Sequence, residues 1–175
     1  MALKIIILGN SSSGKSSLAL KLKQKFSLTH LDLDILAWEK QETPVRRSLS
    51  SSMEDINHFI NLNKNWVIEG CYGDLIAEIL SYGNFLIFLN PDLNTCLNNA
   101  KNRDWESHKY ENLDDQNANL KMLETWIKDY FIRKDEFSFT NHQKLFRSFS
   151  GKKVEYNQNW NEDLIRFIGE FNQDD

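Results

Sequence analysis

In the run Gly9-Asn10-Ser11-Ser12-Ser13-Gly14-Lys15-Ser16-Ser17, two glycines bracket four polar positions, and a lysine and two serines follow. These are poor core residues, yet they come directly after the apolar Ile5-Ile6-Ile7-Leu8. An anion accounts for each residue type. Backbone N–H groups converge on phosphate oxygens only where the chain curls tightly, which glycine permits. A helix starting at the lysine points its positive end at the same oxygens. The spacing is G-x-x-x-x-G-K-[ST], the Walker A phosphate loop. Lys15 is expected to neutralise the β- and γ-phosphates of a nucleoside triphosphate, and the Ser16 hydroxyl to ligate Mg²⁺. ATP and Mg²⁺ are therefore the expected ligands of Gly9, Asn10, Ser11, Ser12, Ser13, Gly14, Lys15, Ser16 and Ser17.

Further along stand acids suited to the same chemistry. Asp32 and Asp34 sit two residues apart, so a strand would turn both to one side near its C-terminal end. In open α/β sheets that edge faces the ligand crevice. One carboxylate suits a water-mediated contact to Mg²⁺, and the other suits the proton or orientation of a substrate hydroxyl. Both assignments of the two roles stand. Glu69 ends the apolar Trp66-Val67-Ile68, as a Walker B acid does, and is expected to hold the metal through water. Gly70 behind it permits close backbone approach to a ligand.

The elements that must carry these residues read as alternating strands and helices. Leu3–Leu8 has the continuous apolar character of a strand buried on both faces. Leu18, Ala19, Leu22 and Phe26 then recur at helical spacing. A short strand is expected over Thr29–Leu33. A serine-rich connection leads to a helix with Met53, Ile56 and Ile60 on one face, with Ser51 and Glu54 spaced as its capping box. Trp66-Val67-Ile68 and Phe85–Leu89 are strands, with a short helix over Asp74–Ser81 between them. Asn90-Pro91-Asp92 starts a helix bearing Leu93, Cys96, Leu97 and Ala100. Arg103–Asn119 is polar and without clear period, with Trp105, His108 and Tyr110 embedded. A helix with Leu120, Leu123, Ile127 and Phe131 on one side follows. Lys153–Tyr156 reads as a last strand, and Trp160, Leu164, Ile168 and Phe171 mark a final helix. The expectation is a three-layer α/β/α fold around a parallel sheet of about five strands, in one domain over 1–175.

Composition sets the outer limits. The 175 residues are 41% hydrophobic and 26% charged, with a net charge of -4. That balance gives no broad attraction to nucleic acid or membrane. Cys71 and Cys96 form no CxxC, and with four scattered histidines they show no metal-ligand spacing. No apolar run is long enough to span a bilayer, and the start of the chain reads straight into the loop, leaving no room for a signal peptide. A cytoplasmic protein with two reduced thiols, monomeric or homodimeric, is expected.

Three stretches resemble the small-molecule kinase branch of phosphate-loop proteins, adenylate kinase, shikimate kinase and their relatives. His30-Leu31-Asp32-Leu33-Asp34 resembles the D-x-D that shikimate kinases keep at the end of the second strand. Trp66-Val67-Ile68-Glu69-Gly70-Cys71-Tyr72 resembles the W-[VI]-I-[DE]-G-x-Y of the adenylate-kinase-like topology modulation proteins. Asn102-Arg103-Asp104-Trp105-Glu106-Ser107-His108-Lys109-Tyr110-Glu111 resembles the lid of bacterial shikimate-kinase-like proteins. The similarity runs from the first strand to about Tyr156.

The resemblance implies ATP-dependent phosphoryl transfer to a small-molecule acceptor. It makes Arg103 the cation at the base of a lid over 103–119, with Lys109 further into it. It places Arg46 and Arg47 where relatives clamp an acceptor's anionic group, with Arg133 and Arg147 as weaker candidates. Trp105 and Tyr110 either stack on adenine or pack the lid. A guanine-reading N/T-K-x-D is missing, since Asn63-Lys64-Asn65-Trp66 lacks the aspartate. Shikimate kinase's glycine triplet is replaced by Glu69-Gly70-Cys71, and adenylate kinase's D-G-[FY]-P-R is absent, which argues against shikimate and AMP. A regulatory nucleotide-binding protein that hydrolyses ATP slowly is the competing reading.

Overall fold

The computed structural model describes residues 2–39, 45–106 and 111–173. In chain order it runs β1 (Lys4–Gly9), α1 (Lys15–Phe26), β2 (Thr29–Asp32), α2 (Asp34–Ala37), α3 (Leu49–Leu62), β3 (Trp66–Gly70) and α4 (Gly73–Ile79). A 3-10 turn (Leu80–Tyr82), β4 (Phe85–Leu89), α5 (Leu93–Lys101), α6 (Leu113–Ala118), α7 (Leu120–Asp129), α8 (Phe139–Ser148), β5 (Lys152–Tyr156) and α9 (Glu162–Gln173) complete it.

Apolar runs such as Ile5–Leu8 and Phe85–Leu89 have no polar face to offer water, so each must be covered twice. The strands accordingly form a parallel sheet in the order β2-β3-β1-β4-β5. Along β1 the side chains alternate between two cores. Ile5 and Ile7 pack with Leu18 and Leu22 of α1 and Leu164 and Ile168 of α9. Ile6 and Leu8 pack with Ile56 of α3, Leu75 and Ile79 of α4 and Leu145 of α8. Each such fully buried aliphatic side chain contributes about 1.5–3 kcal/mol of transfer free energy. The result is the expected three layers. A third, smaller cluster joins α5 to α7 through Cys96, Ala100 and Ile127, backed by Leu97, Leu120 and Leu123.

Several local expectations are corrected. The second strand stops at Asp32, because Leu33 has helical dihedrals (φ -65, ψ -19) and caps the short α2. Asp34 therefore opens a helical turn, and strand alternation does not relate it to Asp32. Ser48, not Ser51, caps α3: its Oγ accepts the Ser51 N–H at 3.2 Å, while the Ser51 Oγ accepts from Arg47 at 2.7 Å. The polar 103–119 stretch contains α6, whose cap Asn112 accepts the Asp115 N–H at 2.9 Å. Phe131 lies beyond the end of α7 and is half exposed. Helix α8 has no counterpart in the sequence reading. Trp160 precedes α9 instead of joining its apolar face.

Candidate functional site

The C-terminal ends of all five strands point the same way, and the chain leaves β1 there through the glycine–serine loop. Gly9 has φ 155, and a Cβ on it would run into the Leu89 carbonyl of the neighbouring strand. Gly14 caps α1 in the left-handed region at φ 92, and Ser12, within the loop, also has a positive φ of 57. These turns curl the loop so that Lys15, the first residue of α1, reaches back: its Nζ donates to the Asn10 carbonyl at 2.7 Å. Three elements pin the loop from outside. Asn10 Nδ2 donates to the Ile127 carbonyl of α7 at 3.2 Å, Asn99 Nδ2 to the Ser12 carbonyl at 2.9 Å, and Trp160 Nε1 to Ser17 Oγ at 2.9 Å.

A cleft of about 680 Å³ opens beside the loop. Ser11, Ser12, Gly14, Lys15, Ser16 and Ser17 form one wall. Asp34, Glu69, Gly70 and Cys71 face them, and Arg103, Asp104, Trp105 and Glu106 border the opening with Asn99, Asn159 and Trp160. The structure thus brings Lys15, Asp34, Glu69, Gly70 and Arg103 to one cavity.

Asp34 and Asp32 part company here. Asp34 lines the cleft, and its Oδ1 accepts the Tyr72 O–H at 2.6 Å; Trp38 Nε1 donates to that same hydroxyl at 2.7 Å. Burial, helped by the nearby Cys71 and Asp34, lifts the Tyr72 phenol above its ordinary range and keeps it a donor. Asp32 is not among the lining residues; its Oδ1 accepts the Asp34 N–H at 2.9 Å and so holds the turn that carries Asp34.

Glu69, the residue before the last of β3, is in register with Asp32 of β2 and Ile7 of β1. It is 2% exposed. His30 Nε2 lies 3.4 Å from its Oε1, yet neither atom finds a hydrogen-bond partner among the described residues. The Cys71 thiol is pushed up to about 12 by burial, opposed by Lys15 and reinforced by Asp34 and Glu69. The direction favours the neutral thiol over the thiolate.

The Cys71 backbone is fixed from behind. Burial lowers the His142 imidazole to about 4, so the ring is neutral. Its Nε2, 2.9 Å from the Cys71 carbonyl, must then carry the proton, and Nδ1 accepts the Tyr130 O–H at 2.8 Å. The opening of the cleft is held more lightly. Arg103 pairs with Glu106 at 2.9 Å. The buried Gln116 donates to the Arg103 and Asp104 carbonyls at 3.4 and 3.1 Å and accepts the Glu106 N–H at 2.8 Å.

The remaining cations lie elsewhere. Arg46 pairs with Asp74 at 2.7 Å, donates to the Ala37 carbonyl and stacks over Trp38, Tyr72 and Phe137. Arg47 is taken up by Asp55, Ser51 and the Leu36 carbonyl. Arg133 pairs with Asp135 and lies over Trp126, and Arg147 is exposed at the end of α8. None of the four lines the cleft. Lys109 and Tyr110 lie outside the described residues. Tyr72, Asn99, Gln116, His142 and Trp160 were not among the expected site residues. Two of them carry a sequence signal: Tyr72 closes the W-[VI]-I-[DE]-G-x-Y resemblance, and Trp160 is an aromatic just ahead of a helix.

No family model matches the sequence. The uncharacterized protein YqaC of Bacillus subtilis (strain 168) is 28% identical over 116 residues, an alignment spanning 63% of this chain and 62% of that protein. Among solved structures, an uncharacterized protein from Eubacterium ventriosum aligns over 97% of this chain and 99% of its own, at 17% identity and a TM-score of 0.49. The deoxyadenosine kinase from M. mycoides, solved with bound dATP, aligns over 98% of this chain and all of its own, at 12% identity and a TM-score of 0.55. No helix among the described residues is long and apolar enough to cross a membrane. The likeness to the kinase is one of architecture, and the five-stranded parallel sheet flanked by helices has the fold of a phosphate-loop kinase.

Proposed function

We propose that this chain, folded as a single domain, is an ATP-dependent kinase of a small molecule. The observation that carries the reading is a phosphate loop whose Lys15 shares one cleft with the Asp34 carboxylate and the buried Glu69. In this reading the loop from Gly9 to Ser17 holds the nucleotide's phosphates. An acceptor hydroxyl bound near Asp34 forms its bond to the γ-phosphorus as the bridging bond to the β-phosphate breaks. ADP departs, and the hydroxyl proton passes to Asp34. Asp32 acts through Asp34, as a positioning residue.

Among the described residues no three His, Cys, Asp or Glu side chains converge as a metal cluster. The donor set therefore fits a Mg²⁺ carried largely by phosphate oxygens, with the Ser16 hydroxyl and Glu69, directly or through water, completing it. When bound, the ion neutralises charge on the phosphates. The segment over 103–119 serves as a lid that brings Arg103, and Lys109 with it, toward the transferring group and excludes water.

Thermal unfolding with and without Mg-ATP tests the reading. At a hundredfold excess over its dissociation constant a ligand stabilises the folded state by about 2.7 kcal/mol. Lys15→Ala should lose most of that ATP-induced shift while unfolding normally without nucleotide. An ATP-induced shift equal to wild type in the variant rules the assignment out.

A further inference from the structure

The charges around the cleft are unequally divided. Among the described residues its lining contains two cations, Lys15 and Arg103, against the acids Asp34, Glu69, Asp104 and Glu106. Lys15 lies within the loop, and Arg103 is at the opening, already paired with Glu106. The wall opposite the loop is Asp34, Glu69, Gly70 and Cys71, two carboxylates and no positive side chain. The arginines nearest in sequence are committed elsewhere, Arg46 to Asp74 and an aromatic stack, Arg47 to Asp55 and Ser51.

A second observation points to what this wall lacks. Glu69 Oε1 is buried, belongs to a residue of the cleft lining and makes no hydrogen bond among the described residues; the nitrogen beside it, His30 Nε2 at 3.4 Å, is likewise unbonded. A buried carboxylate oxygen without a donor is costly and is satisfied by a hydroxyl, an ammonium or a bound water. Asp34 is likewise an acceptor, oriented by the Tyr72 hydroxyl. An anionic group entering here would meet like charge, and among the described residues this wall offers no arginine fork or lysine to receive it.

We infer that the acceptor is a neutral or cationic hydroxyl compound, and that phosphate- or carboxylate-bearing acceptors are excluded by Asp34 and Glu69. The inference rests on the kinase reading above and narrows its substrate class.

Charge-matched compounds test it. ADP release from Mg-ATP is measured with glucose, glucosamine and glucuronate, which share one hydroxyl scaffold, and with 2′-deoxyadenosine against dAMP. At least one neutral or cationic member should stimulate release over the basal rate, and its anionic counterpart should be weaker by about 100-fold in kcat/KM. Asp34→Asn should lower turnover of the preferred member and narrow the KM gap within the pair by about tenfold. Preference for an anionic member, a panel inert throughout, or an unchanged gap in the variant overturns the inference. The kinase reading fails separately, if wild type shows no Lys15-dependent stabilisation by Mg-ATP.

Discussion

The phosphate loop and the stretch from Arg103 to Glu106 border the same cleft, yet they are held in opposite ways. The loop is locked from three sides, by Asn10 on α7, by Asn99 of α5 and by Trp160, and Gly9 is wedged against the Leu89 carbonyl of the next strand. Among the described residues that stretch is held by the buried Gln116, whose amide makes three bonds to the Arg103–Glu106 backbone, and by the Arg103–Glu106 ion pair. Trp105, the large apolar residue in it, is half exposed. A phosphate site works best when its N–H groups are fixed before the ligand arrives, whereas a cover must part at small cost. On the reading proposed above, the contrast teaches that a fixed site and its cover are assigned to neighbouring stretches of chain.

The largest expected effect is on the locked side. Gly9→Val places a branched side chain against the Leu89 carbonyl in a backbone conformation that side chains avoid, and should destabilise the protein by about 3–4 kcal/mol. Urea denaturation measures it. A loss under 1 kcal/mol would mean that the loop yields, and the contrast with the cover would collapse.

The next effect is acid-dependent and concerns the anchor behind Cys71. His142 is neutral in the folded protein down to about 4, against an unfolded value near 6.5. Between those limits the unfolded chain binds a proton that the folded chain does not, so stability is complete above about pH 6.5. It falls as the pH drops toward 4, by about 3 kcal/mol in all from this residue. Urea midpoints at pH 7 and 4.5 for wild type and His142→Gln should show this share of the acid loss missing in the variant. Equal acid losses in both proteins would show that His142 is not the source.

The smallest effect belongs to the opening. Gln116→Ala removes the three bonds that hold it, and hydrogen exchange at the Glu106 amide should quicken roughly tenfold while the global urea midpoint moves little. A fall in global stability as large as that of Gly9→Val would make the segment part of the rigid body and sink the role of cover proposed for it.

The strands and the loop were legible because their signals are local. Four fixed positions define the loop, and unbroken apolar runs define β1, β3 and β4. Other features depended on distant partners. Helix α8 buries His142 among its apolar residues, and that histidine is tolerable there only because Tyr130 and the Cys71 carbonyl satisfy both ring nitrogens. Nothing near position 142 announces either partner. The Asp32–Asp34 spacing reads as strand until the chain turns at the buried Leu33, where Asp32, the last residue of β2, accepts the Asp34 N–H that opens α2. Arg46 and Arg47 read as free cations until Asp74, Asp55 and the aromatic rings come in from other elements. Gln116 sits among polar neighbours that give no hint of its burial.

The alternation of β1 between two cores has a consequence for descent and for engineering. The layer on the Ile5–Ile7 side holds α1 and α9, next to the phosphate loop. The layer on the Ile6–Leu8 side holds α3, α4 and α8 and includes Leu33 and Tyr72, the neighbours of Asp34 and Cys71. The sheet separates the two, so volume changes in one layer need not be absorbed by the other. On the kinase reading proposed above, a lineage can therefore reshape the wall bearing Asp34 and Cys71 through many substitutions while keeping intact the loop that would hold the nucleotide. A designer can randomise that wall on the same terms.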